Sequence, residues 1–181
     1  MLLQQAGFAF HACDPMLDEL PFKHQALTPE RLVVTLAEAK ARAVQPIWPH
    51  GWIIGSDQCA EIDGSVLGKP GDFQQTIEQL ERLSGRTHRL LTGLCLLDAE
   101  TGRARVHLDV HTLHMRRLTH TQLETYVARD RPYDCAGGYR IEAQGIRLFE
   151  SIEGHDYTAI IGLPVMQLAT MLAEAGVGEE G

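Results

Sequence analysis

The chain has 181 residues, of which 44% are hydrophobic and 22% are charged, and its formal net charge is −8. This length corresponds to about one domain with its own core, and the composition is typical of a soluble globular protein. The acidic balance argues against sequence-independent nucleic-acid binding, because that activity requires a basic surface.

The cysteines and the apolar runs restrict the class of protein further. Cys13, Cys59, Cys95 and Cys135 occur singly, without a CxxC pair. They therefore predict neither a zinc site nor a disulfide framework, and we expect reduced thiols. No apolar run reaches the roughly 18 residues of a membrane span, and no signal peptide is recognisable. We expect a cytoplasmic protein with neither a membrane nor a nucleic-acid partner.

Hydrophobic spacing and turn residues predict helices alternating with strands. In chain order these are the end of a helix at 1–7, a short strand at 8–12, a helix at 28–44, a hairpin of strands at 52–62 and 65–68, a helix at 72–85, two long strands within 88–118, a helix at 121–130, a strand at 145–154 and a helix at 164–175. For the helix at 121–130, the residues Thr121 and Glu124 predict a capping box. The alternation predicts an α/β fold.

The helix at 28–44 carries a lysine on its apolar side. Thr28 can cap its amino end, and Val33 and Ala37 recur at helical spacing. Lys40 falls on the same face of the helix. Two interpretations of Lys40 stay open: its ammonium extends past the core to solvent, or it points into a cleft.

The predicted hairpin carries opposite charges at its two ends. Asp63-Gly64 is a strong signal for a tight turn between its strands. Asp57 lies in the first strand, and Lys69 stands between Gly68 and Pro70 after the second. Carboxylates can hold a hard cation and orient water, while lysines neutralise phosphate charge. Together with Lys40, Glu19 and Glu142, these two residues suit a magnesium-dependent attack on a polyphosphate.

Several stretches resemble one known family, in the same order and at the same spacing. They are "GSDQ", "DGSVLGKP", "LERLSGRTHRLLTGL", "DCAGGYRIEAQGIRLFESIEG" and "IIGLPVMQL". Together they resemble the Maf family of nucleoside triphosphate pyrophosphatases, and the similarity runs from Met1 to Ala175. The resemblance implies one domain over residues 1–181, with a mixed, strongly twisted sheet flanked by helices and two lobes around a deep cleft. It also implies a homodimer.

The resemblance also implies an activity and its residues. Members of the family hydrolyse a nucleoside triphosphate to a monophosphate and pyrophosphate with a divalent cation, Mg²⁺ or Mn²⁺. Carried over by position, the catalytic base falls on Asp57, and the phosphate-binding lysines fall on Lys40 and Lys69. The metal-binding acids fall on Glu19 and Asp57. The hairpin would then hold the base and a phosphate counter-charge in a fixed relation.

Two further positions bear on the nucleotide. "GSDQ" and "DCAGGYRIEAQGI" resemble the branch of the family that acts on 7-methyl-GTP more than the dTTP/UTP branch, which typically shows "GADT" and "DKAGAYGIQG". Gln58 and Glu142 stand where the branches differ. The methylated guanine is positively charged, so the carboxylate of Glu142 would favour it. Alternatively, Glu142 is an acid in a surface loop, and the dTTP/UTP branch stays open.

The resemblance departs from the family at one place. Its members open with a strand and an S-x-x-R-R loop that contacts the triphosphate, whereas this sequence begins at a position just after that loop. We therefore expect the chain to lack the first strand and this phosphate-binding loop. A third interpretation follows, in which the chain is a catalytically weak nucleotide-binding or division-linked regulatory protein.

Overall fold

The computed structural model describes residues 2–177. Its helices are Leu2–Gln5 (α1), Leu20–Lys23 (α2), Pro29–Val44 (α3), Phe73–Leu83 (α4), His120–Asp130 (α5), Tyr157–Ile160 (α6) and Val165–Glu174 (α7). Its strands are Trp52–Ile62 (β1), Ser65–Leu67 (β2), Thr87–Asp98 (β3), Ala104–Met115 (β4) and Phe149–Glu153 (β5). None of the helices in this part of the chain has both the length and the apolarity that a bilayer crossing requires.

The five strands form one sheet in the order β2-β1-β3-β4-β5. In the antiparallel pair of β1 with β2, Ala60 lies opposite Leu67, and in that of β4 with β5, Leu113 lies opposite Ile152. The predicted α/β class with a helix-flanked sheet is confirmed. The sheet is antiparallel, whereas the resemblance implied mixed strand directions. Short turns join β1 to β2 and β3 to β4, and such turns connect antiparallel neighbours.

The predicted strand at 8–12 and the position of the predicted capping box are wrong. Residues 8–12 are not a strand. A strand requires a paired neighbour, and Phe8 instead packs against an apolar cluster. The capping box is also misplaced, because α5 begins one residue earlier than predicted. Thr119 caps the helix and exchanges hydrogen bonds with Gln122, so Thr121 lies inside the first turn.

The chain divides into two compact units. Unit 1 comprises the described parts of 1–57, 92–109 and 156–181, and unit 2 comprises 58–91 and 110–155. In unit 1, successive residues of β3 alternate between two apolar clusters. Leu94 and Leu96 pack with residues of α7, whereas Cys95 and Leu97 pack with residues of α3. Unit 1 therefore has helices on both faces of its strands.

Helix α3 lies directly against two strands of unit 1. A Cβ atom at Gly55 would lie 2.1 Å from the carbonyl oxygen of Ala37, and one at Gly93 would lie 2.4 Å from that of Val33. These distances are far below a van der Waals contact, so only glycine permits this approach. The close packing fixes the position of α3 along these strands and so the position of Lys40, which lies about one turn beyond Ala37.

We expect Gly55→Ala to lower the free energy of unfolding by about 3 kcal/mol, because the added methyl group forces the α3 backbone away from β1. Denaturant unfolding measures the change. Gly68→Ala is the matched control, since a Cβ there meets nothing within 4 Å and its φ lies outside the left-handed region. The control should stay within about 1 kcal/mol of the wild type. Equal unfolding midpoints for the two variants would contradict the close packing of α3.

Unit 2 contains a buried aromatic cluster around His88. His88 Nε2 lies 2.9 Å from the hydroxyl oxygen of Tyr139, and both rings pack against Phe149. Burial lowers the pKa of His88 to about 4, so the ring is neutral at neutral pH. The cluster therefore anchors Tyr139 immediately before the loop that carries Glu142.

Candidate active site

Three of the predicted residues meet in unit 1. Lys40 Nζ lies 2.5 Å from Asp57 Oδ1 and 3.0 Å from Glu19 Oε1. Lys40 projects from α3, Asp57 lies in β1, and Glu19 immediately precedes α2. The side chain of Lys40 is only 22% exposed, and its ammonium turns toward the carboxylates rather than extending to solvent. The ammonium of Lys40 is therefore held by carboxylates, and its position in a cleft stays a prediction.

A second lysine, which the sequence analysis missed, joins this group. Lys23 Nζ lies 2.7 Å from Glu19 Oε2, the oxygen that does not face Lys40. Lys23, Glu19, Lys40 and Asp57 therefore form a row of alternating charges, which we name the charge row. The spacing of four residues in "ELPFK" was the available signal, since side chains four apart meet on a helix turn.

Burial and ion pairing shift the pKa values of Asp57, Lys40 and Glu19 in opposite directions. Burial raises the pKa of Asp57, although the Lys40 ammonium acts to lower it. For Lys40 burial acts to lower the pKa, but the hydrogen bonds and charges of Asp57 and Glu19 outweigh it and raise the pKa. Burial also acts to raise the pKa of Glu19, yet the two lysines lower it to about 2. Glu19 and Lys40 are therefore charged at neutral pH.

Ser56 fixes the backbone beside Asp57. Its hydroxyl lies 2.7 Å from the carbonyl oxygen of Gly162 and 2.9 Å from that of Gly93, and its single proton is shared between them. Both contacts lie within unit 1. This positioning role could not be predicted from local residues, because Gly162 is 106 residues away along the chain.

The two carboxylate oxygens of Asp57 have different surroundings. Oδ1 accepts a hydrogen bond from Lys40, whereas Oδ2 receives none from another residue within 2–177. The side chain is 14% exposed, so a water molecule can reach it. One oxygen is thus held in place while the other can accept a proton from water, which is the geometry required of a general base.

The donor set fits a small divalent cation. Glu19 and Asp57 already direct one oxygen each toward the same ammonium, so both can reach a single cation. Mg²⁺ usually binds one or two carboxylates and completes its octahedron with waters and substrate phosphates. Within residues 2–177 no group of three or more His, Cys, Asp or Glu side chains could hold a metal. Glu19 and Asp57 therefore suit a cation whose remaining ligands are water molecules and oxygens of the substrate.

The predicted hairpin is present. Two predicted site residues belong to its portion in unit 2: Gln58 lies in β1, and Lys69 follows β2. Asp63 and Gly64 both have positive φ, 55° and 78°, as a two-residue type I′ turn requires. Lys69 follows β2, is exposed, and has no hydrogen-bond or ion-pair partner among the described residues. Gln58 is partly buried in β1. The roles of Lys69 and Gln58 stay predictions.

Glu142 lies in a fixed loop of unit 2. The Tyr126 hydroxyl accepts a hydrogen bond from the backbone N–H of Arg140, and the N–H of Gly145 bonds to the Arg140 carbonyl. A 3-10 turn over Gln144–Leu148 follows, where the sequence analysis predicted a strand from Gly145. The Glu142 carboxylate is exposed and lies 3.8 Å from the Arg140 guanidinium. This contact is long, so Glu142 can bind another cation, and its role stays a prediction.

The comparisons agree with the motifs. The Maf-like protein family matches residues 1–175. A protein of Pseudomonas savastanoi pv. phaseolicola named 7-methyl-GTP pyrophosphatase is 43% identical over 176 residues, which are 97% of this chain and 91% of the relative. Proteins with the same name from Pseudomonas aeruginosa and Nitrosococcus oceani are 40% and 39% identical over 97% of this chain, covering 91% and 87% of their own lengths. Because the family match and these identities extend along almost the whole sequence, the chain belongs to the Maf family.

Proposed function

We propose that the chain hydrolyses a nucleoside triphosphate, with 7-methyl-GTP as its preferred substrate, to the monophosphate and pyrophosphate. The observation that carries this proposal is the pairing of Lys40 with Asp57 and Glu19 at the centre of the charge row. The shared name of the relatives supports the choice of reaction and of nucleotide.

Asp57 serves as the general base. Its Oδ2 accepts a proton from a water molecule while the water oxygen attacks phosphorus at the bridge between the α and β phosphates. The bond from the attacked phosphorus to the bridging oxygen breaks, and the bridging oxygen keeps the bond electrons as it leaves with the second product. One water is consumed, and one monophosphate and one pyrophosphate are formed. Burial raises the pKa of Asp57, which strengthens it as a proton acceptor.

The lysines offset the negative charge of the triphosphate directly, and the carboxylates do so through a bound cation. Lys40 and the exposed Lys69 donate hydrogen bonds to phosphate oxygens as negative charge moves onto the leaving group. Glu19 and Asp57 hold a divalent cation, Mg²⁺ or Mn²⁺, which when bound neutralises phosphate charge as a Lewis acid. Lys23 keeps Glu19 oriented by holding its second oxygen.

Glu142 and Gln58 set the preference for the base. The carboxylate of Glu142 attracts the positive charge of the methylated guanine and accepts hydrogen bonds from the N1–H and N2–H₂ edge. Gln58 lies next to the catalytic Asp57 in β1, at a position where the branches of the family differ. The resemblance further suggests a homodimer and a cytoplasmic location.

A nucleotide panel tests the proposal. Pyrophosphate release is measured with 7-methyl-GTP, GTP, dTTP, UTP and CTP, each with Mg²⁺ or Mn²⁺ and with a chelator. The proposal requires the highest kcat/KM for 7-methyl-GTP and no release with the chelator. A preference for dTTP or UTP would assign the chain to the other branch. Nucleotide binding without release would identify a catalytically weak binding protein.

A further inference from the structure

The ammonium of Lys40 lies where a cation shared by Glu19 and Asp57 would bind. It is within 3.0 Å of one oxygen from each carboxylate. A divalent cation needs the same oxygens at about 2.1 Å, and two positive charges cannot share that space. We propose that Lys40 and the divalent cation compete for these oxygens, so that Lys40 acts as a counter-ion that the metal displaces. This inference rests on the metal ligands of the proposed function.

The charge row provides what such an exchange requires. Glu19 uses separate oxygens for its two lysines, Oε1 for Lys40 and Oε2 for Lys23. When Lys40 leaves Oε1, Lys23 still holds Glu19 in position. Removing the ammonium without a replacement would leave two partly buried carboxylates facing each other, which is strongly unfavourable. A divalent cation satisfies both carboxylates and so makes the release of Lys40 possible.

The exchange couples the cation to the substrate. Lys40 is committed to carboxylates until the cation takes them, and only then is its ammonium available for a phosphate oxygen. Each ligand therefore strengthens the binding of the other, as reciprocal linkage demands. Lys23 does not compete with the cation, because it pairs with the oxygen of Glu19 that Lys40 does not use.

Mn²⁺ binding to the full chain without nucleotide tests the inference, with free Mn²⁺ followed by electron paramagnetic resonance. Lys40→Met should lower the Kd for Mn²⁺ by about tenfold or more, because the competing ammonium is gone. Lys23→Met is the matched control, since it removes an equal charge from the same carboxylate. Its Kd should stay within about threefold of the wild type, because Lys23 does not occupy the shared oxygens and its half-exposed ion pair with Glu19 contributes little.

A second measurement guards against a folding defect. Lys40→Met, or Lys40→Gln if the first variant does not fold, should gain more in Tm from added Mn²⁺ than the wild type does. Equal or weaker Mn²⁺ binding by the Lys40 variants, equal gains in both Lys→Met variants, or no Mn²⁺ binding at all would overturn the inference. Tighter Mn²⁺ binding by Lys40→Met together with a wild type that releases no pyrophosphate would overturn the proposed function alone.

Discussion

Replacing Asp57 with Asn should lower kcat/KM for 7-methyl-GTP by about two to four decades, the usual range for loss of a general base. The amide cannot accept the proton of the attacking water. It also removes the negative charge that Lys40 meets at 2.5 Å. The fold should survive, because Asp57 is not part of the apolar clusters of unit 1. Initial rates of pyrophosphate release and a thermal unfolding curve measure the two effects.

Asp98→Asn is the matched control for this variant. Asp98 is an acid of unit 1 at the end of β3, where its carboxylate accepts hydrogen bonds from Thr101. Removing its charge should leave kcat/KM unchanged. If Asp57→Asn kept a turnover close to that of the wild type while Asp98→Asn behaved as expected, Asp57 would not be the base.

Glu142→Gln should reduce the preference for 7-methyl-GTP over GTP by about one to two decades, because a desolvated charged contact contributes about 1.5–3 kcal/mol. GTP lacks the positive charge of the methylated base, so its kcat/KM should change much less. The measurement is the ratio of kcat/KM for the two nucleotides, which isolates discrimination from chemistry.

Asp134→Asn is the control that separates a direct effect of Glu142 on the nucleotide base from an effect through the neighbouring Arg140. Asp134 is the other carboxylate beside Arg140, 3.7 Å from its guanidinium. A change in selectivity that acted only by freeing Arg140 would occur in both variants. We expect the ratio to change in Glu142→Gln alone. An unchanged ratio in Glu142→Gln would remove this acid from the base pocket and leave the choice of nucleotide to the resemblance.

Local chemistry made much of the fold predictable. The Thr28 cap and the apolar spacing of α3 depend on a few neighbouring residues, and so does the Asp63-Gly64 turn. Periodicity alone placed Lys40 on the buried face of α3. The resemblance then named Asp57 and Glu19, and the structure brings both to that lysine.

Features that depend on distant segments were not predictable. Residues 8–12 have strand composition, but a strand exists only where another backbone pairs with it. The capping box was misplaced because two Thr-x-x-Gln/Glu patterns overlap at Thr119 and Thr121, and the helix uses the first. Ser56 resembles any small polar residue of a strand until Gly162 comes beside it.

The contact between Ser56 and Gly162 restricts how far the chain can fold while it is still being synthesised on the ribosome. Gly162 is made 106 residues after Ser56, so its carbonyl does not exist when β1 leaves the exit tunnel. Closing a loop of this length is entropically costly and occurs only once the intervening segments have begun to pack. The anchor beside Asp57 can therefore form only after most of the chain has been synthesised. A nascent chain that ends before Gly162 lacks this contact, so the backbone beside Asp57 is held less firmly.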